Sequence, residues 1–328
     1  MANESALVTG ATGRIGSYLV RELLKKKKLE VRALIRKESE GARLPEGARA
    51  FVGDVTKIDS MKEAIRDADF VYHLAALVDY SAPESCLYEI NVKGTDNLLK
   101  LCCDERGLNG FVFCSTIGVH GKSLKRVPAD ESEPFNPGDR YNGSKFLAER
   151  TALSYRGRVR VVVVRPAVVY GVGFEEAYFP IFDLLRARRM PFIGSGGNFI
   201  PFVNVSDVVQ GMMLACGDED AVGNAYILAS DEMRTQREAL EIACRYLKVP
   251  PPRFGVPVFL AKAYAHISGA VARVRGGRAK LLPEYVDVLA SNRAFDITKA
   301  KEELGYEPKV KLEDGITGMV EDYLKQSR

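Results

Sequence analysis

The chain has 328 residues, of which 46% are apolar and 27% charged, and its 47 basic and 43 acidic side chains leave a net charge of +4. This near balance argues against a nucleic-acid-binding protein, and the length suffices for one large or two interlocked domains. The six cysteines form no CxxC pair and the three histidines are far apart, so the sequence predicts no metal site. With no signal peptide and no uninterrupted apolar stretch, we expect a cytoplasmic protein without an integral membrane span.

Three glycines spaced three residues apart follow a short apolar run near the start of the chain. Residues 6–8 are typical of a buried strand, and apolar residues then recur at helical spacing over 15–24. In such a strand–turn–helix, Gly10 permits the sharp turn, Gly13 lets the backbone approach a diphosphate, and Gly16 lets helix and strand pack closely. The free N–H groups of the helix N-terminus suit phosphates. The turn therefore predicts dinucleotide binding.

The end of the second predicted strand, Leu29 to Arg36, indicates which dinucleotide binds. Strands at this position in NAD-binding units commonly end on an acid that holds the adenosine ribose hydroxyls. Here the strand runs into Arg36 and Lys37, and Arg14 lies in the glycine turn. Guanidinium groups of Arg14 and Arg36 converging on the ribose would suit a 2′-phosphate. We expect NADP, with NAD as the alternative if both arginines are ordinary surface charges.

Buried strands and helical patterns alternate through the first two thirds of the chain. The predicted strands after the second are Ala50–Asp54, Asp69–Ala76, Gly110–Thr116, Val161–Pro166 and Asn224–Leu228; helical patterns cover Pro83–Glu105 and begin near Tyr141 and Asp207. This alternation predicts an α/β fold with a doubly wound, Rossmann-type parallel sheet and ligands at the carboxyl ends of its strands.

The pattern loosens after Gly171, and the last hundred residues are mostly helical. Pro180, Pro191 and Pro201 mark loops that we expect to form walls of a substrate pocket. The predicted dinucleotide-binding domain comprises 1–171 and about 204–230. The smaller, mostly helical substrate domain comprises about 172–203 and 231–328.

Tyr141 and Lys145 are four residues apart and therefore share one face of a predicted helix. A free tyrosine has a pKa of about 10, too high for ready proton exchange at neutral pH. A nearby ammonium favours the phenolate by ~4 kcal/mol at ~4 Å before desolvation costs, so we expect Lys145 to lower the pKa of Tyr141. Thr116, at the end of the fifth strand, is able to hydrogen-bond the same substrate oxygen.

Taken together and in chain order, the motifs of this sequence resemble those of the extended short-chain dehydrogenase/reductases, also called the NAD-dependent epimerase/dehydratase superfamily. The motifs are Thr9–Gly16, Gly53–Asp54, His73–Ala76, Asn91–Thr95, Cys114–Gly121, Tyr141–Lys145, Arg165–Gly171, Pro201–Asp207 and Phe295–Pro308. Arg36 and the 295–299 segment look closest to the dihydroflavonol 4-reductase and 3-beta-hydroxysteroid dehydrogenase-like branch. His120 departs from the family, which often has Tyr there, and we interpret it as a structural loop histidine.

The resemblance implies that Tyr141 is the acid/base, that Lys145 lowers its pKa and holds the nicotinamide ribose, and that Thr116 orients the substrate oxygen. Asn91 belongs either to a proton relay or to helix packing. The family often forms homodimers through the helices around Asn91 and Tyr141. The cofactor contacts that it implies are Gly10, Thr12, Gly13, Arg14, Ile15, Gly16, Arg36, Asp54, Val55, Leu74, Ala75, Ala76, Tyr141, Lys145, Pro166, Ala167 and Val168.

Two departures from related enzymes narrow the expected reaction. Dehydratases of this family have an Asp-Glu type pair directly after the catalytic Thr, where this chain has Ile117 and Gly118. Epimerases usually carry an arginine after the second glycine-rich loop, and residues 198–201 contain none. We therefore expect NADPH-dependent reduction of a ketone or aldehyde, or the reverse. The alternatives are an NAD-dependent nucleotide-sugar 4-epimerase and, from another class, a non-catalytic NADP-binding sensor or scaffold.

The most apolar segment, 256–274, allows two interpretations. Lys262, His266 and Arg273 interrupt it on one face, which indicates an amphipathic helix. We expect it to line a pocket for an apolar small-molecule substrate. The alternative, which the basic stretch Arg273 to Lys280 favours, is a helix lying on a membrane surface.

Overall fold

The glycine turn joins the first strand, β1 (Glu4–Thr9), to the first helix, α1 (Arg14–Leu24), in a computed structural model that describes residues 4–105, 107–274 and 283–327. Successive residues of β1 point to opposite faces of the sheet. Ala6 and Val8 pack in one apolar core with α1, while Leu7 packs in a second core on the other face. A strand buried on both sides in this way explains the unbroken apolar run in the sequence.

A seven-stranded sheet, parallel in every pair, organises the fold. Its strand order is β3-β2-β1-β4-β5-β6-β11, with the chain winding outward from β1 in both directions. The strands after β1 are β2 (Leu29–Ile35), β3 (Arg49–Val52), β4 (Phe70–His73), β5 (Gly110–Cys114), β6 (Val161–Pro166) and β11 (Ala225–Leu228). The predicted doubly wound sheet is confirmed, with strand order reversing between β1 and β4, where ligands of such sheets bind.

Helices cover both faces of this sheet. One layer contains α1, α7 (Val205–Ala215) and α11 (Thr298–Leu304), and the other contains α2 (Lys62–Ile65), α4 (Gly94–Cys102) and α5 (Arg140–Ser154). Shorter helical turns complete the connections. They are the 3-10 helices Glu38–Arg43, Ile58–Met61 and Ile117–His120, α3 (Glu84–Leu87) and the π-helix Tyr88–Lys93.

A third apolar core lies among helices of the second half of the chain, which is mostly helical as predicted. It contains residues from α6 (Glu175–Arg186), α8 (Gln236–Leu247) and α12 (Leu312–Gln326). Short strands and two further helices surround it. They are β7 (Val168–Tyr170), β8 (Phe192–Ile193), β9 (Phe199–Ile200), β10 (Phe202–Asn204), β12 (Arg234–Thr235), β13 (Gly255–Val256), α9 (Val258–Val274) and α10 (Pro283–Ala290).

The structure corrects several predicted boundaries. The predicted strand 69–76 ends at His73, and the strand 110–116 ends at Cys114, so the residues beyond them are loops at the carboxyl edge of the sheet. Pro180 does not mark a loop but lies inside α6. Apolar packing of α6 through Phe182 and Leu185 outweighs the one backbone hydrogen bond that a proline removes.

Candidate active site

The glycine turn at the carboxyl end of β1 has the geometry that phosphate binding requires. Gly10 has a φ of +68°, which favours glycine, and a Cβ on Gly16 would lie 2.1 Å from the Gly10 carbonyl oxygen. Gly13 is the N-cap of α1 and makes no side-chain cap, and its own N–H donates to the Gly10 carbonyl oxygen at 2.9 Å, so the N–H groups of the first helical turn, Ile15 among them, receive no cap from a side chain of Gly13. The turn therefore fits the diphosphate of a dinucleotide.

The loop after β4 lies directly against this turn. A Cβ on Gly10 would lie 2.8 Å from the Ala75 nitrogen, and Thr9 Oγ1 accepts a hydrogen bond from that nitrogen at 3.1 Å. The backbone of 74–76 is thus held close to the cofactor side of the turn. Behind it, buried His73 contacts Thr9 Oγ1 at 2.7 Å and Thr95 Oγ1 at 2.9 Å. Burial lowers the pKa of His73 to about 3, so this bridge is uncharged.

Tyr141 and Lys145 lie in the first turns of α5, which Asp139 caps by accepting a hydrogen bond from the Asn142 nitrogen at 2.9 Å. Both side chains are buried, at 9% and 3% exposure. Lys145 Nζ donates to the Cys114 carbonyl oxygen at 2.7 Å and lies over the Phe113 ring, 4.2 Å from its centroid. The helix therefore holds both groups beside the end of β5.

The electrostatics of this pair differ from the prediction. Burial raises the pKa of Tyr141 above its ordinary value of about 10, and Tyr80, Cys114 and Asp139 raise it further. Burial lowers the pKa of Lys145 to about 8. Lys145 does not lower the tyrosine pKa here because its ammonium is directed to the Cys114 carbonyl and both groups are desolvated. Tyr141 is a protonated phenol at neutral pH, which is the form an acid needs.

The two hydroxyls that follow β5 have different surroundings. Ser115 is buried and donates to Glu149 Oε2 at 2.6 Å. Thr116 is half-buried and caps the next 3-10 turn, where its Oγ1 accepts from the Gly118 nitrogen at 3.1 Å. The Thr116 hydroxyl hydrogen therefore stays available to a substrate oxygen, whereas Ser115 is committed to Glu149.

Glu149 belongs to a buried ionic cluster behind Thr116 that sequence reasoning missed. Arg165 Nη2 lies 2.5 Å from Glu149 Oε1, and both side chains are less than 5% exposed. Arg165 Nη1 donates to His120 Nε2 at 3.2 Å, and burial and Arg165 together lower the pKa of His120. His120 is thus a neutral, structural histidine. The signal was available, because Glu149 lies four residues after Lys145 on the same helical face.

Asn91 lies in the π-helix and connects two parts of the site. Its Oδ1 accepts from the Leu77 nitrogen at 2.7 Å, and its Nδ2 donates to Ser144 Oγ at 2.8 Å. Ser144 in turn donates to the Tyr141 carbonyl oxygen at 2.7 Å. Through these hydrogen bonds, the Asn91 side chain connects the loop after β4 to the helix that carries Tyr141. This agrees with the interpretation of Asn91 as a residue of helix packing.

Three arginines lie in or next to the segments that follow β1 and β2: Arg14 begins α1, Arg36 follows β2, and Arg43 ends the next 3-10 helix. Arg14 pairs with Glu176 of α6 at 2.5 Å, and Arg36 pairs with Glu40 at 3.3 Å. Arg43 was not singled out in the sequence, yet its Nη2 donates to the Thr12 carbonyl oxygen at 3.1 Å. Because Arg14 is turned toward α6, it is Arg43 that approaches the turn from the side of β2.

The remaining predicted cofactor residues lie at the carboxyl edge of the sheet. Asp54 Oδ1 accepts from Thr56 at 2.9 Å, and Val55 is buried against Gly94. Pro166 ends β6. The N–H groups of Ala167 and Val168 donate to the Leu228 and Pro201 carbonyl oxygens at 2.9 and 2.8 Å. Both N–H groups therefore already have acceptors within the fold.

The amphipathic segment forms α9, with Ala261 and Ala265 buried against Ile193 and Val286. Four large apolar side chains point outward with 49–69% exposure; they are Phe259, Leu260, Tyr264 and Ile267. Lys262 pairs with Asp287 at 2.5 Å. The Arg273 side chain and the rest of the basic stretch lie outside the described residues. Within the described part of the chain, no helix is long and apolar enough to cross a membrane.

Comparison with known proteins agrees with this geometry. The sequence profile described as "NAD dependent epimerase/dehydratase family" matches residues 6–229. The UDP-glucose 4-epimerase of Vibrio cholerae is 28% identical over 333 residues, covering 98% of this chain and 96% of that protein. A 3beta-hydroxysteroid-dehydrogenase/decarboxylase, isoform 1, of Arabidopsis thaliana is 28% identical over 351 residues, covering 97% and 79%.

A third relative is named for the reduction of a ketone. The 4-hydroxy-2-methyl-3-oxo-4-farnesyl-3,4-dihydroquinoline-1-oxide ketoreductase of Stigmatella aurantiaca is 28% identical over 319 residues, covering 95% of this chain and 94% of that protein. The expected resemblance is thus confirmed, as is the expectation of an NAD(P)-dependent enzyme. The chain belongs to the NAD dependent epimerase/dehydratase family.

Proposed function

We propose that the protein reduces a ketone or aldehyde with NADPH, using Tyr141 as the acid. The observation that carries the proposal is the surroundings of Thr116, where a dehydratase would need a second acid/base pair. Ile117 is buried in the core, and a Cβ on Gly118 would lie 2.0 Å from Asn142 Oδ1. A side chain at 118 would have to displace the Asn142 carboxamide, and neither Ile117 nor Gly118 carries an acid or a base, so chemistry beyond one hydride and one proton transfer has no acid/base there.

Each residue of the site has its own role in the proposed reaction. NADPH, when bound, supplies the hydride. Tyr141 gives its phenolic proton to the substrate oxygen, and its high pKa keeps that proton in place until the oxygen gains negative charge. Thr116 donates a hydrogen bond to the same oxygen. Lys145, whose ammonium donates to the Cys114 carbonyl oxygen at 2.7 Å, would hold a hydroxyl of the nicotinamide ribose.

The arginines around the glycine turn support NADP over NAD. The Arg14 pair is exposed on both sides and the Arg36 side chain is 76% exposed, and exposed ion pairs contribute about 0–1 kcal/mol. A doubly charged 2′-phosphate is able to displace them, and Arg43 adds a third guanidinium beside Thr12. If NAD binds in place of NADP, the Glu40 carboxylate is the group that would accept hydrogen bonds from the two ribose hydroxyls.

Cofactor identity tests the proposal. Nucleotide released by heat from purified protein is identified by mass, and the emptied protein is titrated with NADPH and NADH. The proposal expects exchangeable NADPH that binds at least tenfold more tightly than NADH and is consumed with a carbonyl substrate. Tighter binding of NADH would contradict the proposal that the arginines bind a 2′-phosphate. Absence of NADPH-linked turnover across a panel of carbonyl compounds would contradict the proposed reductase activity.

A second candidate is an NAD-dependent nucleotide-sugar 4-epimerase, which the Vibrio cholerae relative favours. It predicts NAD that stays bound through purification and no net cofactor consumption. The same release experiment separates the two candidates.

The proposal includes a division into two domains and a homodimer. The dinucleotide-binding domain comprises 1–171 and about 204–230, and the substrate domain comprises about 172–203 and 231–328. We expect a homodimer through the helices of Asn91 and Tyr141, since Tyr88 and Leu147 on those helices are each 44% exposed. Light scattering of Leu147→Glu against wild type tests this contact.

A further inference from the structure

Arg293 is a buried cation that has no carboxylate partner among the described residues. Only 4% of the residue is exposed. Its Nη1 donates to the Gly121 carbonyl oxygen at 3.3 Å, and its Nε has no acceptor within the described part of the chain. Arg165, buried to the same degree, has three nitrogen–oxygen contacts with Glu149, the shortest 2.5 Å. The two arginines therefore differ in partners and not in burial.

Hydrogen bonds to two distant segments of the chain fix the position of Arg293. Its backbone N–H donates to the Phe199 carbonyl oxygen at 3.0 Å. Gly121, which receives its guanidinium, ends the 3-10 turn that Thr116 begins. Two groups interact with its charge, Tyr80 and Asp139. The Tyr80 ring contacts the Tyr141 ring edge-on, with centroids 5.3 Å apart, so Tyr80 connects the surroundings of Arg293 to Tyr141.

The nearby groups do not neutralise this cation. Tyr80 carries a phenol and not a carboxylate. Asp139 lies more than an ion-pair distance away, and its two oxygens accept from the Asn142 nitrogen at 2.9 Å and from Asn142 Nδ2 at 2.6 Å. Burial lowers the pKa of Arg293, yet a guanidinium does not lose its proton in a protein. A buried charge without a partner is strongly destabilising, so the site is arranged for an anion that comes from outside the chain.

We infer that Arg293 binds an anionic group of the substrate, a carboxylate or a phosphate, carried close to the carbonyl that Tyr141 protonates. The inference rests on the proposed function only in taking Tyr141 as the reacting centre. Nε and a terminal amino group of a guanidinium form the fork that both anions match with two parallel hydrogen bonds. The anion would supply the missing negative charge, and the fork would set the distance between it and the reacting carbonyl.

Three aryl ketones that differ only in the group opposite the acetyl test this inference. They are 4-acetylbenzoate, 4-acetylphenyl phosphate and the neutral methyl 4-acetylbenzoate, and their binding to protein saturated with NADP⁺ is measured by calorimetry. Wild type is expected to bind at least one of the two anions tenfold or more tightly than the ester. The preferred anion shows whether the anionic group of the substrate is a carboxylate or a phosphate. Arg293→Met should bind all three like the ester, and Arg293→Lys should keep part of the preference. Arg253→Met, which removes an exposed arginine, should behave as wild type.

Each outcome decides the question. Equal binding of the ester and both anions by wild type, no anion binding up to millimolar concentrations, or an unchanged preference in Arg293→Met would overturn the inference. If Arg293→Met does not fold, the wild-type comparison and Arg293→Lys decide in its place. Because binding is measured without turnover, an Arg293-dependent anion preference in a protein that shows no NADPH-linked reduction would contradict the proposed function while supporting this inference.

Discussion

Arg165 and Arg293, the two arginines that are buried among the described residues, lie in regions with different charge pairing. Around Arg165, at the junction of β5, α5 and β6, every charge has a partner: Glu149 accepts from both Arg165 and Ser115. Around Arg293, where 121, 199 and 293 meet, one guanidinium has a single carbonyl contact in the described structure. The paired cluster fastens α5 to β6 beside the reacting groups, whereas an unpaired buried charge lowers stability unless an anion binds it, as we infer for Arg293. Tyr141 lies between these regions.

The largest expected effect is on the reaction itself. Tyr141→Phe removes only the phenolic hydroxyl, so both regions stay intact while the proton donor is lost. We expect the rate of carbonyl reduction to fall about 10²–10⁴-fold, the usual contribution of general acid catalysis. Steady-state kinetics with NADPH measures it, and NADPH affinity and Tm serve as controls. Near-full turnover with an unchanged Tm would show that another group protonates the substrate.

The second effect separates the two regions by stability. Glu149→Ala leaves Arg165 buried without its partner, and breaking a buried pair in this way costs about 3–5 kcal/mol. Arg293→Met removes a charge that has no carboxylate partner and loses one hydrogen bond, so its cost is about 1 kcal/mol or less. Urea denaturation measures both.

Two further outcomes test that contrast. The double variant Glu149→Leu/Arg165→Met should recover most of the lost stability, because replacing a whole buried pair with apolar groups is often neutral. Equal losses for Glu149→Ala and Arg293→Met would mean that the two regions do not differ as described.

The third effect concerns Lys145, a cation held by a carbonyl in the paired region. Its folded pKa of about 8 lies below its ordinary value of 10.5, so the unfolded chain binds more protons between these pH values. Stability should therefore rise as pH increases from 8 to 10.5. Since one pKa unit corresponds to about 1.4 kcal/mol, Lys145→Met should be more stable than wild type by about 3 kcal/mol at pH 7. That advantage should vanish near pH 10.5 in paired melting curves. An advantage that does not change with pH would contradict a depressed lysine pKa.

The sequence predicted the sheet well because its signals are local. Apolar runs buried on both faces, helical periodicity and the glycine turn each act within one strand–helix unit, and the order of units then defines a doubly wound sheet. Strand ends were misplaced where the chain leaves the sheet to form the site. Leu74 and Ser115 still donate backbone hydrogen bonds to Thr9 and Val164 of the neighbouring strands. One residue further along, Ala75 donates to the Thr9 hydroxyl and Thr116 caps a 3-10 turn, so the sheet pairing has ended although the apolar or hydroxyl pattern continues.

The features that were missed depend on contacts between distant parts of the chain. Arg293 meets Gly121 across 172 residues, and no local pattern distinguishes it from a surface arginine. The pair of Glu149 with Arg165 is distant in sequence too, although helical spacing from Lys145 could have indicated the face of Glu149. Pro180 was misread because packing of α6 outweighs a local helix-breaking signal.

The smallest expected effect is on cofactor affinity and concerns the exposed arginines near the glycine turn. Unlike Arg165 and Arg293, these arginines are exposed to solvent, where ion pairs are weak. Arg43→Ala and Arg36→Ala should each weaken NADPH binding about tenfold, because a hydrogen bond to a charged group contributes about 1.5–3 kcal/mol and solvent screens part of it. NADH binding should not change, since NADH lacks the 2′-phosphate. Arg49→Ala is the matched control, because Arg49 is an exposed arginine on β3 that pairs with Glu30. If Arg43→Ala weakens NADH and NADPH equally, Arg43 supports the Thr12 turn and does not read the phosphate, and Arg36 alone would carry the cofactor preference.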